Sequence, residues 1–261
     1  MKKKNPLPGI VILMVGIISS VLVTHHVNEQ NLRNTAVIKS APLMEALGYG
    51  STDFYFPDRK VTVLGRSAFE LIQNDDAVRL YADPKTGEVF YAVGKQGSGP
   101  ALPASELKAK ADALVAAVKG EEILKLCLER AEAEGLTGSE YKCYLDGISF
   151  SVADIELHDD GSVRLAVFRD TELPSYRDNL SEAEALAAAK KEAERFLKKK
   201  GLTDCRLNED SVKAEKALIN GKVVWRCELE YQAENTSYTY YFDIQVSPKN
   251  GKIIENANNL S

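Results

Sequence analysis

Apolar and polar residues alternate most regularly between residues 223 and 246. Every second position is apolar in two segments, which contain Val223, Trp225, Cys227, Leu229 and Tyr231, and then Tyr238, Tyr240, Phe242, Ile244 and Val246. A period of two is typical of a strand with one buried face. Pairing Tyr231 with Tyr238 places Leu229 opposite Tyr240 and Trp225 opposite Ile244, and all these apolar side chains then share one face.

Short turns predict two further strands beside this pair. Asn220-Gly221 is a strong hairpin signal that places Ile219 opposite Lys222. The turn from Ser247 to Gly251 pairs Val246 with Ile253, which completes an antiparallel meander of four strands. The strand before Asn220-Gly221 adds Val212, Ala214 and Leu218 to the apolar face, with Lys216 as its charged exception.

An amphipathic helix precedes the meander. Ser181 and Glu184 have the S-x-x-E spacing of a capping box, and the helix continues to Lys200, where Gly201 suits a cap. The apolar positions at helical spacing are Leu186, Ala189, Ala193, Phe196 and Leu197. We therefore predict an α+β fold in which one helix packs on a four-stranded antiparallel meander.

The second face of this sheet is polar and free to meet water or a partner. It carries Arg226, Glu228, Glu230, Thr239, Tyr241, Asp243 and Gln245. A solvated face is the commoner meaning of such a pattern, but tyrosine is enriched where proteins touch. Arg226, Tyr241 and Asp243 are therefore the predicted partner-binding residues.

The C-terminal turn has a counterpart upstream, Asp83-Pro84-Lys85-Thr86-Gly87-Glu88-Val89, which pairs Ala82 with Val89. Helical patterns over Ser105–Lys119 and Glu121–Glu134 follow it, and strands are predicted between Tyr141 and Phe168. The echo predicts that the helix-and-meander unit is repeated two or three times. Residues 46–178 are expected to hold one or two such units and residues 179–261 the last one.

The N-terminus carries a membrane-targeting pattern. Lys2, Lys3 and Lys4 precede an uncharged, largely apolar run from Leu7 to Val23. The run is an uncleaved transmembrane anchor or a secretory signal peptide, and the lack of an A-x-A cleavage pattern favours the anchor. The expected order is a cytoplasmic tail at 1–6, the anchor at 7–23 and a juxtamembrane segment at 24–45, with all later domains outside the cytoplasm.

The charge argues about the class of partner, and the cysteine spacings argue about the role of the cysteines. The formal net charge is -5, and no basic stripe follows Lys4, which argues against nucleic acid. The spacings of Cys127, Cys143, Cys205 and Cys227 do not resemble a zinc site, so these residues are buried thiols or disulfides. The Asn220-Gly221 register argues against a Cys205–Cys227 bond, because it places Cys227 opposite Ala214 and far along the ladder from Cys205.

The sequence shows no assembled catalytic pattern. G-x-S-x-G and H-E-x-x-H are absent, and Asp159-Asp160-Gly161 beside His158 is better explained as a turn. Carboxylates are plentiful, but their number says nothing about their geometry. We predict no catalytic, cofactor-binding or metal-binding residues, no cofactor, and a protein that is not an enzyme.

The C-terminal segment resembles the PepSY family. The resemblance rests on the helix that starts at Ser181-Glu182-Ala183-Glu184-Ala185, on the strand Val223 to Leu229, and on Tyr240-Tyr241-Phe242-Asp243 followed by Lys249-Asn250-Gly251-Lys252-Ile253. The upstream turn Asp83 to Val89 matches the family's closing D-x-x-T-G-E-V hairpin more closely than the C-terminal copy, which has Ser247 where the family usually has Asp. Members occur in propeptides of secreted metalloproteases, which they inhibit and help to fold, and in tandem behind a single membrane anchor in a spore-germination protein.

The resemblance implies a bacterial, membrane-anchored, extracytoplasmic binding protein. Such a protein would regulate, inhibit or stabilise another envelope protein, such as a peptidase or a cell-wall hydrolase. A sensory module that binds a small ligand or a wall fragment is the alternative, and a large apolar pocket would favour it. An enzyme is the third possibility, which hydrolase activity of the extracytoplasmic part would reveal.

Overall fold

The computed structural model of the chain describes residues 29–57, 59–136, 138–234 and 238–260. It is an α+β protein with mostly antiparallel strands. The helices are α1 over 29–46, α2 Ala104–Lys119, α3 Glu121–Glu134 and α4 Glu182–Lys199, with short 3-10 turns at Ser51–Asp53 and Glu209–Ser211. The strands are β1 Phe54–Tyr55, β2 Lys60–Val63, β3 Arg66–Gln73, β4 Val78–Ala82, β5 Val89–Gly94, β6 Glu140–Leu145, β7 Ile148–Leu157, β8 Val163–Phe168, β9 Cys205–Leu207, β10 Lys213–Ile219, β11 Lys222–Ala233, β12 Thr239–Val246 and β13 Ile253–Asn258.

Contacts divide the chain into two compact units. Among the described residues, the first unit contains those from 29 to Leu124 together with Ala153–Phe168, and the second contains those in Lys125–Val152 together with those from Arg169 onward. Each unit combines two segments that are separated in the sequence. The repeat itself and the boundary at residues 178 and 179 stay predictions.

In the first unit the strand order is β1-β3-β4-β5-β8, with β2 on β3 and residues Ala153–Leu157 of β7 on β8. Ala82 lies opposite Val89, as the upstream turn predicts. Gly87 in this turn has φ +74°, and a Cβ there would lie 3.0 Å from the backbone N of Ala36 in α1. Glycine at this position therefore supplies the positive φ and also lets α1 approach the turn.

In the second unit the antiparallel meander β10-β11-β12-β13 is present in the predicted order. The helix α4 covers one face of it, and its start has the predicted capping box of Ser181 and Glu184. The core between helix and sheet is filled by Ala185, Ala189, Ala193, Leu197, Trp225, Cys227, Leu229, Tyr231, Tyr240, Phe242, Ile244 and Val246. Alanines on the helix let it lie close to the large side chains of the sheet.

Additional strands extend this meander. β7 pairs with β10 in parallel, with Lys216 opposite Ile148 and Ala217 opposite Ser149, and β6 pairs with β7. β9 pairs with β11 beyond the end of β10, with Cys205 opposite Ala233. The pairings of β7 with β10 and of β9 with β11 join strands that are not neighbours in sequence, so the local pattern did not predict them.

The predicted register of the central hairpin is wrong by two residues. Tyr231 lies opposite Tyr240 rather than Tyr238, and Trp225 lies opposite Val246 rather than Ile244. The strand β11 is longer than predicted, because it continues past Tyr231 to Ala233, whose N–H donates to the carbonyl of Tyr238. A shift of two keeps every side chain on its predicted face, since the side-chain period of a strand is two.

The registers of the outer hairpins are confirmed. Ile219 lies opposite Lys222 and Ala214 opposite Cys227, and Val246 lies opposite Ile253 beside a bulge. Lys216, the charged exception on the apolar face, lies opposite Trp225 with its Nζ 5.1 Å from the ring centroid, and it also pairs with Asp178. The position tolerates lysine because the ammonium rests on an aromatic face and meets a carboxylate.

The predicted anchor at 7–23 and the tail at 1–6 lie outside the described residues. Among the residues that the structure does describe, no helix is both long and apolar enough to cross a membrane. The segment predicted as juxtamembrane overlaps α1, in which Ala36, Leu43 and Met44 are buried.

Candidate partner-binding face

The candidate site is the face of β11 and β12 that points away from α4, which we call the outer face. Side chains alternate across the two strands, so the residues between the core positions all point to this side. The register places Arg226 opposite Gln245, Glu228 opposite Asp243 and Glu230 opposite Tyr241. The three residues predicted as partner-binding, Arg226, Tyr241 and Asp243, are thus brought onto one surface.

Arg226 and Asp243 form the electrostatic centre of the outer face. Nε and Nη2 of Arg226 donate to Oδ2 of Asp243 at 2.9 and 2.7 Å, and Nη2 also lies 2.9 Å from a carboxylate oxygen of Glu228. The hydrogen bond to Asp243 raises the pKa of the Arg226 guanidinium, while burial acts in the opposite direction. The two hydrogen bonds hold the pair in place. Both side chains are about one-third exposed, so the pair remains accessible from solvent.

One oxygen of this pair has no partner. Oδ1 of Asp243 is buried and accepts no hydrogen bond within the described part of the chain. A buried acceptor without a donor is costly, and such groups often mark a place where a water or another molecule donates. Asp243 therefore keeps one buried acceptor oxygen without a donor among the described residues.

Tyr241 is the large aromatic residue of the outer face, and its side chain is 52% exposed. Its backbone is held by Asn259, whose Oδ1 accepts from the N–H of Tyr241 at 3.0 Å and whose Nδ2 donates to the carbonyl of Thr239 at 3.1 Å. The end of the described chain thus fixes the strand around an exposed ring. A rigid exposed tyrosine presents contact area at a low entropic cost.

A groove of about 590 Å³ runs over this face. Its charged lining residues are Asp210, Lys213, Glu228, Glu230 and Asp243. Four carboxylates against one ammonium give the groove an acidic character. The other lining residues are Ser211, Leu229, Tyr241, Phe242, Ala257, Asn258 and Asn259.

The residues that border the groove outside β11 and β12 were not predicted from the sequence. Asp210 and Ser211 lie in the 3-10 turn before β10, and Asn258 and Asn259 lie at the end of β13. The segment Asn256-Ala257-Asn258-Asn259 could have indicated some of them, because it is rich in asparagine. Asparagine side chains commonly form hydrogen bonds with nearby backbone groups.

The polar side chains of the outer face bind one another. The guanidinium of Arg226 is occupied by carboxylates, and Glu255 accepts from the amide of Gln245 at 2.8 Å. In the part of the chain that the structure describes, no group of three or more His, Cys, Asp or Glu side chains is placed to hold a metal ion.

Comparisons with known proteins give a family match for the C-terminal part of the chain. Residues 179–256 match the family model described as "Peptidase propeptide and YPEB domain", or PepSY. No curated protein matches the chain. A solved structure, the Bacillus megaterium YpeB C-terminal domain, is 10% identical with a TM-score of 0.38, over 85% of this chain and 96% of that one. The chain is therefore a PepSY-domain protein, with its PepSY domain at residues 179–256.

Proposed function

We propose that this chain is a binding protein whose PepSY domain regulates, inhibits or stabilises another envelope protein through the outer face. The observation that carries the proposal is the placement of Arg226, Tyr241 and Asp243 on one ordered, accessible surface. The family description refers to peptidase propeptides, which are segments that act by contact with a peptidase. A peptidase or a cell-wall hydrolase is the corresponding partner class, and a non-catalytic role for this chain is part of the proposal.

The two faces of the sheet differ in what covers them, and this difference supports the proposal. The inner face is used completely by α4, with Ala189, Ala193 and Ile244 fully buried. The outer face keeps Tyr241 exposed and holds Arg226 in a fixed position by two hydrogen bonds. Tyrosine and arginine dominate the binding energy of many interfaces, especially where they are held in place before binding.

Charge narrows the region of a partner that would fit. The carboxylates of Asp210, Glu228 and Glu230 line the groove, and Lys213 is the cation among its lining residues. A partner segment that carries Lys or Arg would complement this surface. Such complementarity speeds association and makes it sensitive to salt.

The location outside the cytoplasm belongs to the same proposal. The cluster of Lys2, Lys3 and Lys4 before the apolar run at 7–23 supports a single membrane anchor with the PepSY domain on the far side of the membrane. Anchoring would hold the binding face close to the envelope and to proteins that work there.

A small ligand in the groove is the second candidate function. The volume of about 590 Å³ is within the range of small-molecule sites. The core between α4 and the sheet is filled by side chains, so the groove on the outer face is where a ligand of the PepSY domain would bind. Substitutions on the outer face that weaken a protein contact would also weaken the binding of a wall fragment in this groove.

The test is site-specific photo-crosslinking in cells that contain the full chain. A benzoylphenylalanine replaces Tyr241 in one strain and Tyr55 in the control strain, because the two tyrosines are 52% and 50% exposed. The proposal predicts that one envelope peptidase or wall hydrolase is captured from position 241 and not from position 55. Equal capture at both positions, or capture of no protein at position 241, contradicts it.

A further inference from the structure

The turn between β2 and β3 presents a large apolar side chain to solvent. Leu64 and Gly65 form this two-residue turn, since Val63 lies opposite Arg66 at the ends of the two strands. The side chain of Leu64 is 63% exposed. A leucine in this position adds little to the stability of the fold, because most of its apolar surface stays in water.

The backbone of this turn makes the choice of leucine unusual. Leu64 and Gly65 have φ of +51° and +74°, which are the positive angles of a type I′ turn. Two other hairpins of the chain have the same pair of angles, and their turns are Asp146-Gly147 and Asn220-Gly221. Asp and Asn tolerate a positive φ, whereas a bulky side chain is strained there. Leu64 is thus disfavoured by its backbone and by its exposure, which indicates a role outside the fold.

The residues on either side of the turn are basic. Residues 59–66 contain three cations and no acidic residue. Each cation contacts a carboxylate from elsewhere in the first unit, and the pairs are Arg59–Glu70, Lys60–Glu29 and Arg66–Asp83. In every pair the cation is more exposed than the carboxylate. The hairpin therefore presents positive charge to solvent around an apolar tip.

This hairpin lies at the end of the first unit where α1 begins. Nζ of Lys60 is 3.3 Å from a carboxylate oxygen of Glu29, the first residue that the structure describes. Beyond the other end of α1, the ring of Tyr49 contacts that of Phe54 in β1, which pairs with the opposite end of β3. The chain that precedes α1 therefore enters the first unit on the side of Leu64.

The predicted anchor is close to this entry point. Val23, the last residue of the apolar run, is six residues before Glu29. Six residues span at most about 20 Å when they are fully extended. Leu64 is four strand residues beyond Lys60, so the tip projects by about 13 Å. The tip can therefore cover most of the distance between the start of α1 and the membrane surface.

We infer that the tip of the β2–β3 hairpin rests on the bilayer that holds the chain's own anchor. Leu64 lies in the interfacial region, and the three cations of the hairpin meet anionic headgroups. Apolar burial and attraction to anionic lipid act together in such contacts. The anchor keeps the tip near the bilayer, so a contact that is weak by itself is enough to orient the first unit. This membrane contact rests on the proposed function, because it requires the anchor, and it does not involve the outer face.

The test is tryptophan fluorescence of the full-length chain in vesicles of three parts phosphatidylcholine and one part phosphatidylglycerol. Dibrominated phosphatidylcholine replaces the ordinary lipid as the quencher. Leu64→Trp places the reporter at the tip, and Tyr55→Trp is the matched control. Tyr55 is 50% exposed but lies opposite Ile72, about 20 Å along β3 from Arg66. The natural Trp225 is buried, so the wild-type chain supplies the background signal.

Brominated lipid should quench the tryptophan at position 64 by about twofold or more, and the one at position 55 by less than about one fifth. Quenching at position 64 should weaken without phosphatidylglycerol, because the headgroup charge is lost. Equal quenching without that lipid would contradict the role of the three cations. A chain that floats with the vesicles but shows no quenching at position 64 would overturn the inference and leave the anchor intact. A chain that does not float with them would overturn the anchor and the membrane contact together.

A second variant separates the membrane contact from the fold. Leu64→Asn gives this hairpin the same pair of turn residues as Asn220-Gly221. It should raise the Tm of the full-length chain in detergent by roughly 2–4 °C, because asparagine tolerates the positive φ better than leucine. A lower Tm would show that the leucine serves the fold, and would overturn the inference.

Discussion

Arg226 on β11 binds Oδ2 of Asp243 on β12 through two nitrogen atoms, at 2.9 and 2.7 Å, although Glu228 is the residue directly opposite Asp243. This diagonal contact spans the two strands of the outer face. It holds Arg226 between two carboxylates and fixes the surface from which Tyr241 projects.

Removal of this contact should destabilise the PepSY domain. We expect Arg226→Ala to lower the free energy of unfolding by about 1–2 kcal/mol, since a hydrogen-bonded charge pair that is partly buried is lost. Arg206→Ala is the matched control, because Arg206 pairs with Glu234 while its side chain is 81% exposed. The control should change stability by less than about 0.5 kcal/mol in urea unfolding. Equal effects of the two substitutions would show that the Arg226 pair is not ordered in solution.

The close packing of α4 on the sheet gives a second prediction. Ala189 is fully buried against the large side chains of the meander, while Ala187 is exposed on the same helix. Ala189→Leu should destabilise the domain by about 1–3 kcal/mol, because the added atoms have no space. Ala187→Leu should be close to neutral in the same thermal or urea unfolding experiment. If Ala189→Leu were also neutral, the helix would not pack as closely as the structure has it.

The turn at Gly87 allows the cost of a close approach to be separated from the cost of positive φ. Gly87 and Gly251 have φ of +74° and +70°, but a Cβ at Gly87 lies 3.0 Å from the N of Ala36, whereas at Gly251 the nearest atom is 3.7 Å away. Gly251→Ala should cost about 1 kcal/mol from backbone strain alone. Gly87→Ala should cost clearly more and should increase hydrogen exchange in α1. If Gly87→Ala and Gly251→Ala lowered the free energy of unfolding by similar amounts, and hydrogen exchange in α1 were unchanged, the close approach of this helix to the turn would be contradicted.

The capping box of α4 predicts a pH dependence. The N–H and Oγ of Ser181 donate to the carboxylate of Glu184, and these hydrogen bonds lower its pKa below the ordinary value of 4.5. A carboxyl whose pKa is lower in the folded state adds stability that is complete above pH 4.5 and is lost as the pH falls through the folded value. Glu184→Gln should therefore be less stable than wild type at pH 7, and the difference should shrink below pH 4.5. A difference that stays constant across this range would contradict the assignment.

The sequence predicted the features that depend on near neighbours. The period of two assigned each residue of β11 and β12 to its face, and Asn220-Gly221 set the register of β10 with β11. The alternation could not fix the register of β11 with β12, because a shift of two residues leaves the same side chains on the same faces. The length of the loop between β11 and β12 decides between such registers, and the polar residues of that segment carry no strong turn signal.

Contacts between distant segments could not be predicted in this way. The parallel pairing of Lys216 with Ile148 and the hydrogen bond from Arg130 to the carbonyl of Cys143 both depend on how separate elements pack. The candidate residues Arg226, Tyr241 and Asp243 were found because they alternate with core positions. Asn259, which fixes the backbone of Tyr241, acts from a segment that has no such periodic pattern.

The central claim is that the outer face binds an envelope protein, and the affinity of the protein captured at position 241 tests it most directly. Its Kd for the purified chain is compared between wild type, Tyr241→Ala and Tyr55→Ala, all at the same salt concentration. We expect Tyr241→Ala to weaken binding by about tenfold or more, as is usual when a central interface tyrosine is removed, and Tyr55→Ala to leave it within about twofold. An unchanged Kd for Tyr241→Ala would contradict the claim.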